Sequence, residues 1–155
     1  MIIRKGQESD IPGALKLVKE LATYEKAPDE VEVTVEEMTA WGFGVDKQFD
    51  FFVAEDEGII VGMALYYFKY STWKGKCLFL EDIIVTESYR RYGLGSKLFN
   101  EVARVAKQQK VRRMEWQVLE WNVTALNFYK KYEANFDDEW VNCKLTYDQL
   151  QSFNQ

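Results

Sequence analysis

The chain contains no histidine in 155 residues. That absence removes both the side chain that most often serves as a general base near neutral pH and the commonest nitrogen ligand for zinc or copper. Proton transfer must fall to Glu, Asp, Tyr, Lys or Cys, and no metal site is expected. Cysteine is nearly as scarce: Cys77 and Cys143 lie far apart, without metal-ligand spacing or the density of a disulfide scaffold, and read as reduced core residues. No apolar run approaches the roughly 20 residues of a membrane span, and the amino terminus passes from Ile2 and Ile3 straight into Arg4, Lys5, Glu8 and Asp10. A soluble, unexported, cytoplasmic protein is expected. Repeats, low-complexity stretches and linkers are also missing. A chain of this length with 47% hydrophobic residues is large enough for one substantial core and too short for two, so residues 1–155 are read as a single domain.

Cationic excess is missing too. Twenty Lys and Arg against twenty-five Asp and Glu leave a net charge of −5, which gives no global field to attract nucleic acid or an anionic bilayer. A cationic small molecule is the better-received partner. What the chain does have is aromatic residues, 15% of the total, more than a minimal core needs. Some rings are therefore expected at a ligand surface.

Hydrophobic periodicity lays out the elements. A short strand at Ile2–Lys5 precedes a helix with Ser9 or Asp10 as cap, Pro12 in its first turn and an apolar stripe of Ile11, Ala14, Leu15, Val18, Leu21 and Ala22, ending before Pro28. Thr34 with Glu37 three residues on has capping-box spacing and predicts a second helix stopped at Gly42 and Gly44. Phe51–Glu55 and Ile59–Tyr70, joined at Gly58, read as a hairpin, with Gly62 as a possible bulge site. After a loop at Ser71–Lys76, Cys77–Val85 reads as a central strand because its apolar residues serve both faces. A helix striped by Leu94, Leu98, Val102, Val105 and Ala106 follows, then a strand at Met114–Leu119, a helix at Val123–Tyr132 and a final strand at Trp140–Leu145. The fold class is α/β (α+β): a mixed, mostly antiparallel sheet with helices on its faces.

Arg90-Arg91-Tyr92-Gly93-Leu94-Gly95-Ser96 lies between the central strand and a helix. Two glycines there let the backbone approach a ligand and free several amide N–H groups to point at one anion, with the positive end of the helix dipole behind them. A pyrophosphate is the natural guest, and Arg90 and Arg91 add charge. The G-x-G pattern alone fits a softened turn before an ordinary helix equally well. A Walker loop needs Lys before Ser96, where Gly95 stands, and a Rossmann fingerprint needs a third glycine, where Leu98 stands.

Arg90, Gly93 and Gly95 match the acyl-CoA loop of the GNAT superfamily of N-acetyltransferases, Gln or Arg, two residues, Gly, one residue, then Gly or Ala. Asn122, Ala125, Phe128, Tyr129 and Lys131 match that superfamily's Asn-x-x-Ala-x-x-Phe-Tyr-x-Lys helix, in the expected order. Its usual Gly-aromatic exit is replaced by Tyr132-Glu133-Ala134. Further strings resemble the diamine (spermidine and spermine) acetyltransferases and their thialysine-acetylating relatives: Lys19-Glu20-Leu21-Ala22 with Tyr24-Glu25, Gly42-Phe43-Gly44, Tyr66-Tyr67-Phe68, Leu80-Glu81-Asp82, and Glu120-Trp121-Asn122 with Asn127-Phe128-Tyr129-Lys130. The resemblance implies a GNAT fold of six to seven strands and about four helices, splayed at the acetyl-CoA site. It implies acetyl-CoA as acetyl donor, held at the pyrophosphate by the amides from Arg91 to Ser96, including Tyr92 and Leu94. The backbone of Ile83, Ile84 and Val85 would pair with the pantetheine, and Asn122, Ala125 and Lys131 would complete the cofactor side.

An aliphatic ammonium, with pKa near 10.4, cannot attack a thioester until it loses a proton. Glu81 is assigned as the acceptor of that proton, in a strand whose neighbours Leu80, Ile83 and Ile84 favour a raised carboxylate pKa. In a regular strand Glu81 and Asp82 face opposite sides, whereas a bulge brings both into the cleft. Asp82 reads either as a substrate ligand or as a buried carboxylate bound to backbone. Tyr129 is the candidate donor to the departing thiolate, since a phenol of ordinary pKa near 10 keeps its proton at neutral pH. By resemblance Tyr24, Glu25, Glu115, Gln117, Asp138 and Trp140 line the amine site, and Trp73 offers a cation–π face. Ser71 stands where the polyamine-acetylating relatives carry an acid, which leaves thialysine-like and other short diamines open. A homodimer is implied, with the Trp140–Leu145 region completing the partner's surface. Two alternatives stay open: a protein lysine or N-terminal acetyltransferase, and a non-catalytic acetyl-CoA-binding module.

Overall fold

A computed structural model describes residues 1–153 as two compact units, Met1–Gln117 and Val118 onward. In the first, strands β1 (Ile2–Lys5), β2 (Asp50–Asp56), β3 (Ile59–Ser71), β4 (Gly75–Val85) and β5 (Met114–Glu115) form one sheet in that order. All neighbours are antiparallel except β4 and β5, which run parallel. Its helices are α1 (Ile11–Tyr24), α2 (Val35–Phe43) and α3 (Leu94–Gln108).

Helix α1 buries Ile11, Ala14, Leu15 and Leu17 with Met38 of α2 against Phe51, Val53, Met63, Leu65 and Ile84, so one sheet face is sealed by the stripe that the sequence predicts. Helix α3 buries Leu94, Leu98, Phe99, Val102 and Ala106. Its approach is close enough that a Cβ on Gly62 would meet Leu98 Cδ1 at 3.2 Å and the Ile84 carbonyl oxygen at 3.2 Å. Gly62 is therefore a contact glycine, flanking a bulge in which Ala54 faces Gly62 and Glu55 faces Ile60. Helix α2 has the expected capping box, with Glu37 N–H donating to Thr34 Oγ1 and Thr34 N–H donating to Glu37 Oε2.

The β3–β4 ladder carries the second irregularity. Leu65 faces Asp82 and Tyr66 faces Leu80, which leaves Glu81 as the extra residue on β4. On the other side β5 meets β4 only at Leu78 and Phe79, and no described strand pairs with the continuation from Leu80 to Val85. That half-paired strand is the splay expected of the fold.

The second unit contains α4 (Val123–Lys130) and α5 (Tyr147–Gln151). Asn122 caps α4 by accepting the Ala125 N–H at 3.1 Å, and the Phe128 ring packs edge-on to Tyr129 and Tyr132. The chain leaves α4 with Glu133 at φ 55°, the left-handed region that a glycine usually fills at a helix exit, so the usual turn is kept without the usual residue.

Several expectations are corrected. The described residues form five strands rather than six or seven, and five helices. The strand expected at Met114–Leu119 spans only two residues, and Trp140–Leu145 is irregular and exposed at Trp140, Val141 and Leu145. Strand propensity is weak without cross-strand packing and ladder bonds, so apolar composition alone does not make a strand. Cys77 is buried as expected, whereas Cys143 is exposed. Asp10 stands at the N-cap position of α1 but makes no side-chain cap hydrogen bond there; its side chain accepts from Gln7 N–H at 2.8 Å and from Arg4 Nη1 and Nη2 at 2.6 and 2.9 Å.

Arg4 also donates from Nε to Glu55 at 2.7 Å, so one guanidinium ties β1, β2 and the turn into α1 together. Its hydrogen bonds hold the Asp10 carboxyl below its ordinary 3.8. A carboxyl with a depressed folded pKa contributes stability above its unfolded value and loses it as pH falls through the folded one. Asp10→Asn is expected to cost about 2 kcal/mol at pH 7, because it leaves a partly buried guanidinium short of a partner. In urea unfolding the difference from wild type should persist down to pH 4 and close only below it.

Candidate active site

The first unit gathers most of the expected site around the end of β4. Strand β4 delivers Glu81 and Asp82 from one bulge, in which two residues oppose the single partner Leu65. Helix α1 ends at Tyr24, with Glu25 as its C-cap residue, and brings a third carboxylate to the same place. Burial is the largest cause pushing the Asp82 carboxyl up to about 6, followed by the charges of Glu81 and then Glu25. Glu25 is itself raised by burial. Three acids thus converge in a chain that has no histidine.

This geometry reverses one expectation. Glu81 was expected among apolar neighbours, but the bulge turns it outward and leaves it exposed; the carboxyl that burial raises is Asp82. Glu81 instead accepts a hydrogen bond of 3.1 Å from the Tyr67 hydroxyl on β3. Tyr67 was not singled out as a site residue by the sequence, because a contact across the ladder between residues 14 apart depends on the β3–β4 register.

Past Val85 the chain makes a short turn at Glu87–Tyr89 that is held by α1: Glu20 accepts from the Thr86 hydroxyl at 3.0 Å and from Glu87 N–H at 3.3 Å. Glu20 is a second residue whose site-building role sequence reasoning missed. The two-glycine loop follows, with Arg91 and Gly93 both in the left-handed region at φ 73°, and Gly93 as N-cap of α3. The first intrahelical bond runs from Lys97 N–H to the Gly93 carbonyl, so the Leu94, Gly95 and Ser96 amides have no intrahelical acceptor. Nothing lies within 4 Å of where a Gly93 Cβ would stand. Open space, orphan amides and a helix N-terminus are what a pyrophosphate requires.

Arg90 and Arg91 diverge. Arg90 Nε donates to the Val85 carbonyl at 2.9 Å and its guanidinium sits 5.4 Å from the Tyr24 ring centroid, while Arg91 is exposed on the loop. Tyr92 is exposed as well. Along β4, Ile84 is buried against the core and Ile83 and Val85 are half-buried, with the edge facing away from β3 unpaired beyond Phe79.

Other expected residues are carried by other elements. Glu115 on β5 is held by Lys69 at 3.4 Å and Arg113 at 3.3 Å, which commits its carboxylate to ion pairs. Gln117 closes the first unit as an exposed residue beyond β5. Ser71 accepts from the Trp73 and Lys74 amides at 3.2 Å each, and Trp73 is exposed on the hairpin. In the second unit Tyr129 is buried on α4, Asn122 and Ala125 form its cap, Lys131 is its C-cap residue, and Asp138 and Trp140 lie exposed in the irregular segment. Among the described residues no group of three potential ligand side chains forms a metal site. No described helix is long and apolar enough to cross a membrane.

A family model described as the acetyltransferase (GNAT) family matches residues 15–133. A thialysine N-epsilon-acetyltransferase from Bos taurus is 41% identical over 86% of this chain and 84% of its own length. A spermidine/spermine N(1)-acetyltransferase-like protein from Homo sapiens is 34% identical over 82% of this chain and 19% of its length. The solved structure of an aminoglycoside N-acetyltransferase in complex with CoA superposes with a TM-score of 0.73 at 18% identity, covering 93% of both chains, a likeness of fold.

The raised Asp82 carboxyl has a thermodynamic signature. A carboxyl whose folded pKa lies above its unfolded value opposes folding once ionised, so the penalty is absent below pH 3.8 and complete above about 6. Asp82→Asn is expected to stabilise the protein at pH 7.5 by on the order of 1 kcal/mol after solvent screening, about 2–4 °C in Tm. Thermal unfolding at pH 3.5 should show no such gain.

Proposed function

Because the chain belongs to the GNAT acetyltransferase family and is an N-acetyltransferase, we propose that it transfers the acetyl group of acetyl-CoA to a primary amine of a small diamine, polyamine or thialysine-like amino acid, by direct attack in a ternary complex. The observation that carries this reading is the meeting of Glu25, Glu81 and Asp82 at the β4 bulge, beside a strand edge left unpaired. Three carboxylates attract an ammonium, and the strand edge offers hydrogen bonds to an amide-bearing donor. GNAT acetyltransferases use acetyl-CoA, and the orphan amides of the Gly93–Ser96 turn fit its pyrophosphate.

In this mechanism Glu81 removes the proton from the bound ammonium, directly or through one water, and Asp82 and Glu25 hold the cation beside it. A substrate cation lowers the cost of ionising Asp82, so binding and deprotonation of this buried acid reinforce one another. The two sites are chemically distinct: acids at the amine, amides and Arg91 at the phosphates. Tyr129 supplies the proton that the leaving thiolate needs. Its place in the Asn122–Lys131 motif and its burial on α4 support that role. The family resemblance assigns Asp138, Trp140, Glu115 and Gln117 to acceptor recognition in the same reading.

The thialysine-acetylating relative, matched over most of both chains, favours a short diamine, and Ser71 fits that choice by withholding a carboxylate from a longer polycation. The family match crosses the boundary between the two units, which supports reading them as one acetyltransferase domain. A cytoplasmic homodimer completes the proposal. Exposed Trp140, Val141 and Leu145 support the dimer, since apolar side chains left at a surface favour a neighbour.

Release of CoA thiol in a screen of thialysine, ornithine-like diamines, spermidine and lysine peptides tests the assignment. Turnover on free short diamines at kcat/KM at least tenfold above peptides is expected, and thiol release with peptides alone would reject it. Glu81→Gln should lose about 10²-fold in kcat at pH 7 and recover part of it in alkali, where the amine deprotonates without help. Tyr129→Phe should lose a similar factor with acetyl-CoA binding intact in calorimetry.

A further inference from the structure

Glu81 is the unpaired residue of its bulge, so ladder geometry does not fix its side chain as it fixes those of its neighbours. The described contact that orients its carboxylate is the 3.1 Å hydrogen bond from the Tyr67 hydroxyl. Tyr67 is well placed to be a rigid donor. Its ring lies 5.4 Å from that of Phe79, its cross-strand partner, at an interplanar angle of 31°. Phe79 in turn carries Lys69 Nζ at 5.3 Å over its ring, and Lys69 and Arg113 both pair with Glu115. The phenol therefore stands on a braced layer spanning β3, β4 and β5. Burial first, then the charge and hydrogen bond of Glu81, push Tyr67 up to about 12, so it keeps its proton and donates at every pH used for assay.

We propose that Tyr67 is a positioning residue for catalysis: its hydroxyl locks the Glu81 carboxylate in the rotamer that receives the acceptor's proton. One carboxylate oxygen, Oε2, accepts the tyrosine hydrogen bond, and Oε1 is left for the ammonium or its water. A glutamate on an exposed bulge samples several rotamers unless a contact selects one, and misplacement of the reacting oxygen by about 1 Å costs up to about 10²-fold in rate. The braced tyrosine supplies that selection.

This inference rests on Glu81 as the proton acceptor, and the test separates the two. Tyr67→Phe keeps the ring on Phe79 and removes only the hydroxyl. The expected result is a fall of about tenfold in kcat with the amine, no change in KM for acetyl-CoA, and a Tm within 2 °C of wild type. In a Glu81→Gln background the same substitution should have almost no further effect on kcat, because the group it positions is gone. Equal losses in both backgrounds, or wild-type kcat for Tyr67→Phe while Glu81→Gln is impaired, overturn the positioning role and leave Glu81 standing. Wild-type kcat for Glu81→Gln overturns the Glu81 assignment and Tyr67 with it. Should Tyr67→Phe fold poorly, Glu81→Asp withdraws the carboxylate from the hydroxyl from the other side. A kcat for Glu81→Asp unaltered from wild type would then reject the contact.

Discussion

The extra residue in β4 is the constraint on which the rest of the site depends. The β3–β4 ladder runs from Ser71 and Gly75 to Gly62 and Val85, and one unpaired residue in its middle resets the side-chain alternation for everything beyond it. Before the bulge, Leu78 and Leu80 are buried; after it, Ile84 returns to the α1 core. Glu81 and Asp82 meet on one side only because the ladder slips there. Without the slip, strict alternation would send one acid to each face, and the deeper of them would lie among the apolar side chains of the sheet.

Crowding these acids opposes folding and favours ligand binding for the same reason. Each raises the energy of its neighbour's ionised form, and burial adds to the effect at Asp82. A bound cation relieves both. Elsewhere the chain treats charge differently: Arg4 hydrogen-bonds Asp10 and Glu55, and Lys69 and Arg113 stand 3.4 and 3.3 Å from Glu115. No described ion pair of that kind engages the acids at the end of β4. Functional sites commonly depart from the local rules that the rest of a fold obeys.

Local signals were read correctly where the physics is local. The Thr34–Glu37 box, the Gly58 turn, the α3 stripe and the Gly93–Gly95 entry all depend on contacts within one turn or hairpin, and each forms as its spacing implies. Readings failed where the partner is distant. Asp10 has the composition of a cap but is taken by Arg4, six residues away on β1. Trp140–Leu145 has strand composition but is irregular, and β5 stops after two residues. Glu133 keeps a glycine's conformation, although the usual glycine of that helix exit is replaced.

The sequence by itself determined the chemistry. The absence of histidine confined proton transfer to acids and phenols, the Arg90–Ser96 loop and the Asn122–Lys131 helix carried the family, and Leu80-Glu81-Asp82 marked the acid pair. Those facts need only residue identity and spacing along one segment. Tertiary structure decided which acid does what. Burial raises Asp82 and Glu25, Glu81 is exposed and held by Tyr67, and Glu115 has Lys69 and Arg113 beside it. Burial and hydrogen-bond partners depend on which strands lie side by side and in what register, and a one-residue slip in that register is invisible in a string of letters.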